Sequence, residues 1–134
     1  MSFDWNNYLE LAKVLRDDST VVTNNLTEAQ QRSSVSRVYY SAYNLVLSHA
    51  KTLGYSFPYL RDSKTGKPLT GSHADLIQFC KDHTDPVINN IARDLESCRN
   101  SRVIADYEDD FPELNKKNKI AIKKVTRILK VLNP

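Results

Sequence analysis

The chain has only two cysteines, and neither Cys80 nor Cys98 has a second cysteine two or three residues away. This spacing excludes the common zinc motifs and a disulfide framework, so both thiols are predicted to be small core residues. Long hydrophobic runs are also missing, because stretches such as 45–47 and 120–122 are far too short to span a bilayer. The first residues lack the charged segment and apolar block of a secretory signal. A cytoplasmic protein without membrane association is therefore expected.

The common enzyme signatures are absent as well. The sequence contains no His-Glu-x-x-His motif, no Gly-rich phosphate loop and no Gly-x-Ser-x-Gly turn, so no metal site and no cofactor are predicted. The net charge of +3 over 134 residues is well below the basic excess that is typical of nucleic-acid-binding proteins. Any function of that kind must come from local clustering of charge.

Helical periodicity and helix-breaking residues predict one all-α domain over residues 1–134, an up-and-down bundle of four or five helices. No stretch shows the alternation that is typical of a strand. The second helix is long and is expected to be central, and an exposed, positively charged loop is predicted over 55–71. The predicted helices are Asp4–Arg16 with Asp4 as N-cap, Thr27–Leu53 with a Thr27/Gln30 capping box and Gly54 as its stop, Ser72–His83 with Ser72 as N-cap, a fourth helix from the Asp85-Pro86 start to Ala105, and Glu113–Leu132.

The fourth helix has an apolar stripe that becomes ionic in its last two turns. Arg99, Arg102 and Asp106 fall on the same face as the apolar residues at 88, 91 and 95. Either these charges are desolvated and must be paired, as at a site or an interface, or the helix end emerges into water. Arg102 and Asp106 are four residues apart, which suits a salt bridge that merely locks the helix end. A pair of arginines at this place could equally hold a phosphate.

Other residues with chemical potential have simpler interpretations. His73 lies near the start of the third helix, where a neighbour of the N-cap without a catalytic role is the favoured interpretation. Tyr39, Tyr40 and Tyr43 are predicted to pack in the core or at an interface rather than to stack on bases.

Three segments resemble motifs of the HEPN superfamily (higher eukaryotes and prokaryotes nucleotide-binding domains). They are Ser36–Tyr43, which contains an Arg-x-Tyr-Tyr pattern, Gly71–His73, and Arg102–Tyr107, which reads Arg-x-x-Ala-Asp-Tyr. The segments follow the order found in the small bacterial and archaeal branch, and the resemblance covers about Thr27 to Leu132. It implies a helical bundle that commonly forms a homodimer, in proteins that often act as RNA-cleaving toxins or defence factors. Many of these proteins stand beside a small nucleotidyltransferase.

The chain departs from this family at the catalytic pair. In the RNase members that it resembles, an arginine is followed five to seven positions later by a histidine, whereas no histidine follows Arg99 or Arg102. Tyr107 and Asp106 occupy the corresponding places, and neither side chain shuttles protons near neutral pH at its ordinary pKa. His73 could substitute only if folding brings it close.

Three hypotheses therefore stay open, and the missing histidine favours the first. In the first, the chain is a HEPN-like module without RNase activity that belongs to a toxin–antitoxin or phage-defence system and has a nucleotidyltransferase, an antitoxin or a second copy as partner. It would bind RNA or a nucleotide through Arg37, Tyr40, Arg99, Asn100 and Arg102. In the second, it is a divergent, metal-independent RNase toxin, a homodimer with catalytic Arg102, Asp106, Tyr107 and His73. In the third, it is a dimerisation module in which these motifs only stabilise the bundle.

Overall fold

A computed structural model of the chain describes residues 4–17 and 24–133, with the side chains of 24–26 left undescribed. The described residues form an all-α bundle of five helices, without a strand among them, as predicted. None of these helices has the length and apolar character needed to cross a membrane. The helices are α1 (Asn6–Asp17), α2 (Asn24–Thr52), α3 (Ser72–Asp82), α4 (Pro86–Tyr107) and α5 (Leu114–Leu132).

The long helix α2 is central, because it contacts each of the other four helices. Its buried side chains recur at the helical period, with Val38, Tyr39, Ala42 and Val46 all at most 3% exposed. One cluster of buried apolar residues joins this face to all the other helices. Burial of so much apolar surface is the main force that holds α2 in the middle of the bundle.

Both cysteines belong to that core, as predicted, and both are free thiols. Burial raises the pKa of the Cys80 thiol to about 11. For Cys98, burial raises the pKa to about 12. The two side chains therefore behave as small apolar core residues and not as nucleophiles.

The predicted start of the fourth helix is confirmed. The predicted capping side chain of the first helix is found, although α1 begins at Asn6 and not at Asp4. The Asp85 carboxylate accepts a hydrogen bond from the Val87 amide at 2.9 Å, and Pro86 is the first residue of α4. The Asp4 carboxylate likewise accepts from the Asn6 amide at 3.0 Å. In both places a short acidic side chain satisfies an amide in the first turn, which has no partner within the helix.

The capping box at Thr27 is wrong, because α2 already begins at Asn24. Thr27 lies inside the helix, and the Gln30 side chain donates to the Leu15 carbonyl. Gln31 donates to the Arg16 carbonyl at 2.8 Å. These glutamines satisfy carbonyls that the last turn of α1 leaves open, a tertiary role that local spacing does not reveal.

Other helix ends differ by one or two residues from the prediction. The N-cap of α3 is Gly71 and not Ser72, and no side chain caps that helix. The third helix ends at Asp82, and α4 runs on to Tyr107, two residues past the predicted end. The predicted stop after α2 is confirmed, because Gly54 adopts a left-handed φ of 95° directly beyond the helix.

The loop between α2 and α3 is held by the carboxylate of Asp75, which is 0% exposed. Asp75 accepts hydrogen bonds from the Tyr55 hydroxyl and from the amides of Tyr59 and Leu60, each at 2.8 Å. Most of the loop is exposed, as predicted, but Tyr55 is buried. The basic side chains that the sequence placed on this loop, Arg61, Lys64 and Lys67, are all exposed.

Candidate functional site

Arg102 lies among aromatic rings where α4 packs against α2. Its side chain is only 10% exposed. The guanidinium carbon lies 5.3 Å from the ring centre of Tyr39, 5.4 Å from that of Tyr40 and 6.0 Å from that of Tyr107. Of the two interpretations of the ionic stripe, desolvation therefore holds for Arg102. Cation–π attraction to several rings offsets part of the cost of removing this charge from water.

Asp106 is the only carboxylate within salt-bridge distance of Arg102 among the described residues, and the contact is long. The distance from Arg102 Nη1 to Asp106 Oδ2 is 3.5 Å, whereas a strong charge-assisted hydrogen bond measures about 2.7–2.9 Å. Ser36 Oγ donates to the same carboxylate oxygen at 3.4 Å. The Asp106 side chain is 30% exposed. This carboxylate is therefore partly hydrated and neutralises Arg102 incompletely.

A second arginine adds to the positive charge. No carboxylate of the described chain lies within salt-bridge distance of Arg99, whose charge is nevertheless felt at His73 and Tyr39. The Nε atoms of Arg99 and Arg102 are both buried, and neither has a hydrogen-bond partner among the described residues. Among the described residues, Arg102 thus has one distant carboxylate and Arg99 has none, which leaves positive charge and two buried N–H donors without partners.

Folding brings His73 into the same cluster from the start of α3. Its Nδ1 forms a hydrogen bond with the Tyr39 hydroxyl. The imidazole stacks on Tyr43, with ring centres 4.2 Å apart and planes inclined by 26°. Burial, and then the charges of Arg102 and Arg99, lower the pKa of His73 below its usual 6.5. The ring is therefore neutral at physiological pH, with one nitrogen able to donate and the other to accept.

The tyrosines divide into buried and exposed members. Tyr39 is 0% exposed, and its burial raises the pKa of its hydroxyl well above 10.0. Tyr40 and Tyr43 are partly buried, so these three residues pack in the bundle as predicted. Tyr107, by contrast, is 73% exposed at the end of α4. We use the name Arg102 cluster for Tyr39, Tyr40, His73, Arg99, Arg102, Asp106 and Tyr107.

Two further predicted binding residues lie outside this cluster. Arg37 is on α2, with its guanidinium 5.5 Å from the ring centre of Tyr8, and it lines a shallow cleft that also includes Asp106. Asn100 is exposed on a different face of α4, where it lines a groove with Ser97 and Lys117. The sequence run that contains Asn100 and Arg102 is therefore divided between two surfaces of the bundle.

Arg32 supports the site but was missed by the sequence reasoning. Its guanidinium donates to four main-chain carbonyls at the end of α4: those of Ile104 at 3.2 Å, Ala105 at 2.9 Å, Glu108 at 2.7 Å and Asp109 at 2.9 Å. This fixes the turn that carries Asp106 and Tyr107. The only local signal was the spacing of Arg32 from Glu28, with which it forms an i,i+4 ion pair at 3.1 Å.

The described residues contain no group of three or more His, Cys, Asp or Glu side chains that could hold a metal ion. The donors of the Arg102 cluster are mostly cationic or neutral N–H and O–H groups, which suit an anion rather than a cation. No protein-family model, curated protein or solved structure matches this chain. The resemblance to the HEPN superfamily thus stays a prediction, and arguments about function depend on the site itself.

Proposed function

We propose that the chain binds a phosphate group of a nucleotide or of single-stranded RNA at the Arg102 cluster. The observation that carries this proposal is the charge imbalance there. Arg102 reaches one partly hydrated carboxylate at 3.5 Å, Arg99 reaches none among the described residues, and both buried Nε atoms lack partners among those residues. Buried cations without a full complement of acceptors are costly, so a cluster of this kind favours an anionic ligand.

The groups around Arg102 suit the parts of a nucleotide. Phosphate oxygens accept hydrogen bonds from the planar guanidinium forks of Arg99 and Arg102 more strongly than a distant carboxylate does. Asp106 is 30% exposed and can swing into water as the phosphate enters. The exposed ring of Tyr107 offers a face on which a base can stack, a contact that contributes about 1–3 kcal/mol per base.

A metal-independent RNase is the second candidate, and the position of His73 favours it. In the tautomer in which Nδ1 donates to the Tyr39 hydroxyl oxygen, Nε2 can accept the proton of a ribose 2′-hydroxyl. The 2′-oxygen would then attack the adjacent phosphorus, and the bond to the 5′-oxygen would break. That leaving oxygen needs a proton, and the cluster contains no second histidine. Binding is therefore proposed ahead of cleavage.

The binding test uses a short fluorescein-labelled single-stranded RNA in the presence of EDTA, with fluorescence anisotropy as the readout. Arg99→Gln and Arg102→Gln should each weaken binding about tenfold or more, since a hydrogen bond to a charged group contributes about 1.5–3 kcal/mol. Arg61→Gln is the matched control, because Arg61 is exposed in the loop between α2 and α3 and the charge change is the same. A parent that does not retain RNA, or a control that loses as much affinity, would refute the proposal.

The same samples separate cleavage from binding on a denaturing gel. Cleavage that survives EDTA and is lost in His73→Gln, but not in Arg61→Gln, would establish the RNase. A single-stranded oligonucleotide of the same sequence with 2′-deoxyribose throughout should then bind without being cut. Bound but intact RNA in every sample would support the binding module, whereas a role confined to dimerisation predicts changes in melting temperature and oligomeric state without any effect on RNA.

A further inference from the structure

The last helix concentrates the positive charge of the protein. Between Leu114 and Leu132 there are seven lysines and arginines and no acidic residue. The rest of the chain has 12 of the 19 basic residues and all 16 acidic ones, so it is net negative. The mild overall charge of +3 therefore conceals one strongly basic helix, while the rest of the chain is net acidic.

Because one face of α5 packs in the bundle, most of its basic side chains lie on the opposite, solvent-exposed face. The buried residues of α5 are Asn118, Ala121, Val125 and Ile128. The opposite face carries basic side chains at intervals of three or four residues, and at about 1.5 Å of rise per residue they extend over roughly 21 Å. We call this the α5 stripe, and it consists of the exposed residues Lys116, Lys119, Lys123, Arg127 and Lys130.

Most of the α5 stripe is not neutralised. Arg127 forms an ion pair with Asp94 at 3.0 Å, but no carboxylate of the described residues is within salt-bridge distance of the four lysines of the stripe. Two acidic residues, Glu96 and Glu113, line the adjoining groove between α4 and α5. Of these, Glu96 is paired with Lys81 at 2.8 Å, and Glu113 is at the start of α5. The field outside the stripe is therefore positive.

The adjoining groove adds neutral polar side chains to these cations. Its polar lining comprises Ser97, Asn100 and Ser101, the cations Arg93 and Lys117, and the carboxylates of Glu96 and Glu113. The Asn100 that the sequence placed with the arginines therefore belongs here. Lys124 donates to Ser97 Oγ at 2.7 Å along the same groove. Hydroxyl and amide groups beside lysines can bind both phosphate oxygens and ribose 2′-hydroxyls.

We propose that the α5 stripe and this groove bind the phosphate backbone of double-stranded RNA without reading its sequence. A line of unpaired cations is complementary to a polyphosphate backbone, whereas lysines are depleted from protein–protein interfaces. A membrane surface fits less well, because the apolar face of α5 is buried in the bundle and only Ile120 and Val131 are exposed apolar residues on this helix. This surface is distinct from the Arg102 cluster, which α2, α3 and α4 form.

The test measures anisotropy of a labelled RNA duplex over a series of KCl concentrations. The combined variant Lys116→Gln, Lys119→Gln and Lys123→Gln is compared with a control of equal charge loss, Lys51→Gln, Lys64→Gln and Lys67→Gln, at exposed positions elsewhere. Each phosphate contact contributes about 0.9 to the slope of log affinity against log salt on a duplex. The α5 variant should therefore reduce the magnitude of this negative slope by about two to three and weaken binding about tenfold or more.

Several results would overturn this inference. They are absence of duplex binding by the parent, an equal loss in the control, duplex DNA bound as tightly as RNA, or binding to phosphatidylserine vesicles in place of RNA. Arg102→Gln should keep the duplex slope within about one of the parent value, because at most one phosphate contact is lost. If Arg99 and Arg102 prove irrelevant to RNA while the α5 variant loses duplex binding, the first proposal fails and this one stands.

Discussion

Two buried charged residues in this bundle, Asp75 and Arg102, differ in how completely they are hydrogen-bonded. The carboxylate of Asp75 is 0% exposed and accepts three hydrogen bonds, each at 2.8 Å. Arg102 is 8% exposed, and among the described residues it has a single ionic contact, at 3.5 Å, and a buried Nε without a partner. Asp75 has the complete hydrogen bonding that is typical of a structural residue, whereas Arg102 has the incomplete bonding that is typical of a residue that binds a ligand.

Burial alone therefore does not distinguish a charged residue with a structural role from one that binds a ligand. A buried charge with complete hydrogen bonding stabilises the fold around it, and removing it leaves its partners unsatisfied. A buried charge with incomplete bonding costs free energy in the unbound protein and recovers it when a ligand completes the set. The two residues should therefore respond differently to substitution.

The largest effect is expected for Asp75→Ala. Three donors lose their acceptor, and because each unsatisfied buried donor costs about 1–3 kcal/mol, the free energy of unfolding should fall by about 3 kcal/mol or more. Urea denaturation followed by circular dichroism measures this change. The exposed Asp110→Ala serves as the control, and a loss no larger than the control's would contradict a structural role for Asp75.

A smaller loss, about 2 kcal/mol, is expected for Arg32→Ala. The Arg32 guanidinium makes four hydrogen bonds to main-chain carbonyls, and its side chain is 17% exposed. In the variant these carbonyls lose a charged donor and have only water as a replacement. Hydrogen exchange should rise at residues 105–109 and not at the start of α4. RNA affinity should also fall, although Arg32 is outside the Arg102 cluster. Unchanged exchange at 105–109 would show that other contacts fix this end.

Arg102→Met should change the free energy of unfolding by less than about 1.5 kcal/mol. Methionine keeps the packing against the tyrosine rings, and replacement of an incompletely paired buried ion by an apolar side chain of similar length is often neutral. RNA affinity should nevertheless fall about tenfold or more. A loss of 3–5 kcal/mol with affinity intact would instead assign Arg102 to the structural class of Asp75.

The smallest effect concerns pH and His73. Because its pKa in the folded protein is below 6.5, the unfolded chain binds more protons between that pKa and 6.5. The contribution of His73 to stability is therefore complete above pH 6.5 and is lost as the pH falls toward the folded pKa. His73→Gln should remove this dependence in denaturation curves.

Proton NMR titration of the His73 ring adds a test with ligand. A bound phosphate counters the charge of the two arginines and should raise the pKa of the imidazole. A pKa that does not move when RNA or a nucleotide binds would place the ligand away from the cluster.

The sequence predicted the helices where local chemistry determines them. Asp85 followed by Pro86 is a start signal that needs no tertiary contact, and the periodic apolar face of α2 identified the central helix. The start of α2 was misplaced, because the helix begins at Asn24, before Thr27, and the Gln30 side chain reaches the Leu15 carbonyl of α1. The spacing of residues within one segment does not reveal which distant segment a side chain will bond to.

The site was predicted in part for the same reason. Arg99, Arg102 and Asp106 share a helix face, so periodicity alone placed them together. Asn100 was grouped with them by proximity in the chain, although its direction on the helix differs. His73 and Arg32 join the site through packing of α3 and α2 against α4. The resemblance had offered His73 only as part of the RNase hypothesis, and nothing in the sequence pointed to Arg32.

Arg32 has a consequence for the kinetics of recognition. The turn that carries Asp106 and Tyr107 is tied by four hydrogen bonds before any ligand arrives, so little conformational entropy remains to be lost there on association. A preorganised surface of this kind should associate in a single fast phase whose rate rises linearly with ligand concentration. Differences in affinity among ligands should then appear in their residence times.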